Sequence, residues 1–166
     1  MRVLPFAIAS ALTLASLSAS LQGQRPAAPV DARSLQLLQQ GRAERAAGDL
    51  NAATDTLETA VAVDPRNRDA FILLAQVAEA RGLPGKAIRL YREALTLEPN
   101  DVQALKGQGE ALVMKGAVAQ AQVNLTKIRS LCKNGCGEAT QLAAVIAKGP
   151  PVTTAQADIA PKPKPE

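Results

Sequence analysis

Displaced by 34 residues, the sequence lies over itself, and that self-similarity limits the possible fold more than any other feature. The shift brings Gly41, Ala75 and Gly109 together, then Gly48, Gly82 and Gly116. It also superposes Ala53, Ala87 and Ala121; Leu57, Tyr91 and Leu125; Leu37, Phe71 and Leu105; and Pro65 with Pro99. A fixed period of this length implies a stack of like supersecondary units, each too small to bury its apolar face alone.

The unit itself reads as two helices. In residues 68–101, Asn67 is placed to cap a first helix whose Phe71, Leu74, Ala75 and Ala78 form one apolar stripe. Gly82 supplies the left-handed conformation that ends it, and Pro84 opens a second helix. Ala87, Ile88, Tyr91, Ala94 and Leu95 make the second stripe, which Pro99 closes. Ala75 and Ala87 are small where the paired axes approach, so a bulky side chain at either place would push them apart. Composition agrees: 33 of 166 residues are alanine and only Phe6, Phe71 and Tyr91 are aromatic, which favours close-packed helices over sheet.

These positions resemble the tetratricopeptide repeat family. Its 34-residue helix-turn-helix unit has a small residue in the first helix, alanines and an aromatic or leucine in the second, and a closing proline. Units are expected at 34–67, 68–101 and 102–135. The middle one fits best, through Ala75, Ala87, Tyr91, Ala94 and Pro99. The first keeps Gly41, Ala53, Leu57, Ala60 and Pro65, with Gln40 and Glu44 where the pattern is usually apolar. The third keeps Gly109, Ala121 and Leu125 but has Ile128 for the second alanine and Lys133 for the proline. The resemblance implies an all-α, right-handed superhelical solenoid. A further amphipathic helix within 136–148, with Ala139, Leu142, Ala143 and Ile146 on one side, is expected to cap its open end.

Outside the repeats the sequence changes character. Residues 1–20 read as a secretory signal peptide. Arg2 is followed by a diluted apolar run, and the small residues Ser18 and Ser20 suit cleavage after Ser20. The expectation is an exported, periplasmic protein; an uncut signal would instead tether it to the membrane. Residues 21–33 read as a linker and residues 149–166 as an extended Pro/Lys tail ending Pro161-Lys162-Pro163-Lys164-Pro165-Glu166.

Little in the sequence carries covalent chemistry. With no histidine, Ser-His and Cys-His nucleophiles and histidine metal sites are excluded. Lys and Arg number 19 against 15 Asp and Glu, without the basic patch and stacking aromatics of nucleic-acid binders. Gly107-Gln108-Gly109 lacks the preceding strand of a phosphate loop and reads as close helix packing. Cys132 and Cys136, in an exported chain, read as a structural disulfide standing where the third unit lacks its proline. The alternatives are two free thiols or a thiol-redox site. The expectation is a non-enzymatic interaction module, with no cofactor, metal, nucleic-acid or small-molecule ligand, that binds a protein or peptide.

In the family, first helices line the concave side. Helical spacing then selects Leu35, Leu38, Arg42 and Arg45 from the first unit and Asp69, Ile72, Gln76 and Glu79 from the second. Gln103, Lys106, Glu110 and Val113 come from the third. The charges in this set cancel, which disfavours a strongly acidic ligand and suits a peptide with apolar anchors and complementary charges of both signs. On this reading Ile72→Glu and Arg42→Glu each weaken partner binding and leave the fold intact.

Overall fold

The computed structural model describes residues 29–133 and 135–151. The signal at 1–20, linker residues 21–28, Asn134 and tail residues 152–166 lie outside the described residues. Among the described residues seven helices follow one another: α1 (Ala32–Ala46), α2 (Leu50–Val63), α3 (Arg68–Ala80), α4 (Pro84–Leu97), α5 (Val102–Met114), α6 (Val118–Leu131) and α7 (Gly137–Lys148). There is no strand among the described residues.

Local chemistry sets the helix ends. Asp31, Asp49, Asn67 and Asp101 each accept a backbone N–H of the first turn they precede. Because Asp31 caps α1, that helix starts at Ala32, so the predicted linker to residue 33 gives up its last two residues to the helix. At the other ends Gly48, Gly82 and Gly116 adopt φ of 85°, 70° and 82°. Each sits in the same paired hydrogen bonding; in the middle unit Gly82 N–H donates to Glu79 O at 2.8 Å and Leu83 N–H to Ala78 O at 2.9 Å. That arrangement reverses the chain within two residues and makes each unit a tight antiparallel hairpin.

Successive helices pack in order, and α1, α3, α5 and α7 also touch along one side. The core is narrow and alanine-rich: Ala53, Ala60, Ala70, Ala75, Ala87, Ala94, Ala104, Ala111 and Ala121 are all fully buried. Small residues let the axes close up, as Ala75 and Ala87 were expected to do. A Cβ on Gly41 would lie 2.6 Å from Leu57 Cγ, so α1 and α2 also meet without room for a methyl group.

The third unit departs where the sequence does. Leu142 of α7 covers Gly109, where a Cβ would come within 2.7 Å of its methyl groups. Ile128, standing for the usual alanine, is fully buried beside Leu142 and Ala139, with Cys132 and Cys136 against the same cluster. Cys132 and Cys136 are disulfide-bonded, closing the α6–α7 turn. Burying Leu142 contributes on the order of 2 kcal/mol, and with Ala139, Ala143 and Ile146 in the same cluster it holds the cap helix on the stack.

A polar seam ties α1 to the end of α2 within the first unit, and Asn67, the cap of α3, carries it to the second. Ser34 Oγ donates to Ala60 O at 2.7 Å and accepts from Asn67 Nδ2 at 2.8 Å, in a buried site. Asp64, 3% exposed, accepts the Asp31 N–H at 2.9 Å and the Arg66 N–H at 2.9 Å, and pairs with the Arg66 guanidinium at 2.8 Å. The Arg66 side chain, then the two backbone donors, hold the Asp64 carboxyl well below the usual carboxylate range.

Candidate functional site

The side shared by α1, α3, α5 and α7 carries a continuous open groove. One part, about 1070 Å³, lies over α1, α3 and the start of α5. The second, about 570 Å³, lies over α3, α5 and the first half of α7. Arg45, Gln76, Ala80 and Gln103 border both.

Nine of the twelve residues selected from the sequence meet here: Arg42, Arg45, Asp69, Ile72, Gln76, Glu79, Gln103, Lys106 and Glu110. Leu35, 44% exposed, lies instead beside Val30, Leu97 and Asn67 at one end of the hairpins. Leu38 and Val113 require correction: at 2% and 1% exposure they are core residues, one packed with Leu57 and Leu74, the other with Leu112 and Ala121. Each helix has two adjoining faces to place, and residue spacing alone put the boundary between groove and core one position too wide. Ile72 sits on that boundary. It borders the groove but is 7% exposed and packs with Ala75 and Tyr91. A carboxylate there would be buried unpaired, so Ile72→Glu does not leave the fold intact.

Residues outside that selection change the electrostatics. Arg68, Glu98 and Asp101 border the larger part, and Glu138 and Gln141 of α7 border the smaller. The groove as built holds four cations and six carboxylates, so it is net acidic on a chain of formal charge +4. Arg68 is engaged by Asp69 at 2.6 Å and Asp101 at 3.2 Å. Lys106 is held by Glu110 at 3.4 Å and Gln141 at 3.1 Å. Among the described residues Arg42, Arg45 and Glu138 form no ion pair. Glu138 and Gln141 come from the cap helix. Periodicity had given that helix the task of covering apolar surface, and only its charged first turn hinted at a place in the groove.

The smaller part has a polar centre. Gly107 leaves a gap in the wall of α5, and the Tyr91 ring of α4 fills it so closely that a Cβ on Gly107 would overlap the phenol. Through that gap the Tyr91 hydroxyl donates to Glu79 Oε2 at 2.8 Å. Burial is the main reason the Glu79 carboxyl is raised to about 7; Glu110 raises it further, while the Tyr91 bond, Lys106 and Arg45 oppose. Burial and then the Glu79 charge push the Tyr91 phenol upward, so it stays a donor throughout the neutral range. Gly107 therefore has the close-packing role expected of it, and by the same contact it shapes the groove.

Among the described residues, no helix is long and apolar enough to cross a membrane, and no cluster of three His, Cys, Asp or Glu is placed to hold a metal ion.

Paired helices recurring every 34 residues around an open inner groove define an α-helical repeat protein. The tetratricopeptide repeat model matches residues 38–101 and 82–123, together 86 of the 166 residues, and the chain belongs to that family. No curated protein matches the sequence. Among solved structures, the first tetratricopeptide domain of Spaghetti (RPAP3), bound to an HSP90 peptide, is similar with a TM-score of 0.66 at 21% identity. The likeness covers 72% of this chain and 94% of that one. The Yersinia enterocolitica type III secretion chaperone SycD, in complex with a peptide of the translocator YopD, gives 0.61 at 20% identity over 69% of this chain and 86% of that one. The Thermobaculum terrenum O-GlcNAc transferase gives 0.62 at 23% identity, over 69% of this chain but only 22% of its own. At these identities the likenesses establish the fold.

Proposed function

We propose that this chain is an exported, non-enzymatic adaptor that binds a peptide segment of a partner protein in the groove over α1, α3, α5 and α7. The observation that carries the reading is the groove's continuity, since a run of this length accommodates a segment rather than a compact small molecule. The mix of amides, short apolar walls and both charge signs suits a peptide with apolar anchors and scattered charges. Two of the similar structures hold peptides, in agreement with this use. Export rests on the sequence of residues 1–20, and its test is N-terminal sequencing: the mature chain is expected to begin near Leu21, and an intact Met1 in a cytoplasmic fraction overturns it.

The binding test uses the chain from residue 21 as bait in an envelope extract, with co-purifying proteins identified by mass spectrometry. Arg42→Glu reverses a groove charge, and Gln76→Trp blocks the strip common to both parts. Both substitutions are expected to lose the partner with helical circular dichroism unchanged. Retention by both moves the site to the outer face or the tails.

A further inference from the structure

The α7 end of the groove has a polarity of its own. Glu79 from α3, Glu110 from α5 and Glu138 from α7 face it, with Arg45 from α1 and Lys106 from α5 as its cations and the Tyr91 hydroxyl from α4 at its floor. Lys106 is bonded to Glu110 and Gln141, so Glu79 feels Lys106 and Arg45 only at a distance, and Glu138 forms no ion pair among the described residues. The Tyr91 bond fixes the Glu79 carboxylate in place before anything arrives, and no rotamer has to be recruited to use it. Gly107 is what admits that bond, so the carboxylate's position is built into the packing of α4 against α5.

Building on the proposed peptide-binding role, we infer that this end receives a cationic side chain, lysine or arginine, of the bound segment, seated between Glu79 and Glu138. Charge complementarity favours this occupant over an anionic one, because the groove as a whole is net acidic and its α7 end, once Glu79 ionises, has three carboxylates against two cations. The approach of a cation also offsets the burial cost of ionised Glu79. Binding therefore expels a proton wherever Glu79 is still protonated, and affinity rises with pH through about 7, where its carboxyl titrates. Between pH 6 and pH 8 the ionised fraction rises from about a tenth to about nine-tenths, which predicts about tenfold tighter binding at the higher pH. An anionic occupant reverses the sign, since it prefers the neutral carboxyl and weakens as pH rises.

The test uses the full chain from residue 21 and two capped 12-residue peptides with the same leucine and serine positions, one bearing three lysines and the other three glutamates. Fluorescence anisotropy at pH 6 and pH 8 reads affinity, and carbon-13 NMR reads the Glu79 carboxyl midpoint. The lysine peptide is expected to bind about tenfold tighter at pH 8, to lower the Glu79 midpoint, and to lose its pH dependence in Glu79→Gln. Stronger binding by the glutamate peptide, with groove resonances of Gln76 and Gln103 shifting, overturns the polarity while the groove remains the binding face. Lysine-peptide binding that is unchanged in Glu79→Gln overturns the subsite. If neither peptide moves Gln76, Glu79 or Gln103, the inference fails together with the groove reading.

Discussion

Gly107 and Gly85 are both helical glycines, and they predict opposite outcomes on addition of one methyl group. A Cβ at Gly107 overlaps the Tyr91 phenol, and Tyr91 is 1% exposed with nowhere to retreat. Gly107→Ala is expected to cost about 1–3 kcal/mol as overpacking, against a helix-propensity gain of about 1 kcal/mol. Thermal denaturation reads the loss, and the Glu79 carboxyl midpoint should move as the Tyr91 bond breaks. Gly85→Ala meets only Lys115 Nζ at 3.9 Å and is expected to be neutral or stabilising. Asp64 governs the acid limit. Its folded value lies below the ordinary carboxylate value, so the stability it contributes is present above about pH 4 and is lost as pH falls below that. Asp64→Asn is expected to lower the melting temperature at pH 7 and to flatten its fall towards pH 3. An unchanged acid profile would mean that Asp64 does not tie the start of α1 to the turn after α2.

At the level of single helices, α7 shows how two small features take over from a missing proline. Pro65 and Pro99 precede α3 and α5, whereas α7 follows a disulfide-closed turn and is held by Leu142 over Gly109. Replacing Cys132 and Cys136 together by serine is expected to cost about 2 kcal/mol by the chain-entropy rule for so short a loop. The proton resonances of Gln141 and Leu142 should broaden more than those of α3. Equal broadening in α3 would show that the disulfide acts on the whole stack. The helices were legible in the sequence because their signals are local: Asn67 before α3, Pro84 at the start of α4, Gly82 between them. The outline of the groove was legible for the same reason, since α1, α3 and α5 repeat the same positions. Which side of a boundary residue faces solvent was not. Leu38 and Val113 look like groove residues by spacing, and only the placement of Leu57, Leu74 and Ala121 makes them core. The Tyr91–Glu79 bond joins two helices through a hole in a third, and no spacing within one helix encodes it.

Among the described residues, the middle unit alone has a neighbouring pair on each side, and the stack is held mainly by contacts between adjacent helices and along the inner row. Such a molecule has no single centre to protect, and its stability falls from the middle outwards. Deuterium uptake should therefore follow position in the row rather than helix length. Amide hydrogens of Val77, Ala78 and Leu90 in α3 and α4 are expected to exchange last. Those of α7 and α1 should exchange sooner, at rates set by local opening rather than by complete unfolding. Uniform protection from α1 to α7 would show one cooperative block. Graded protection would mean that the outer hairpins open and reclose on their own, exposing the ends of the groove many times before the protein as a whole comes apart.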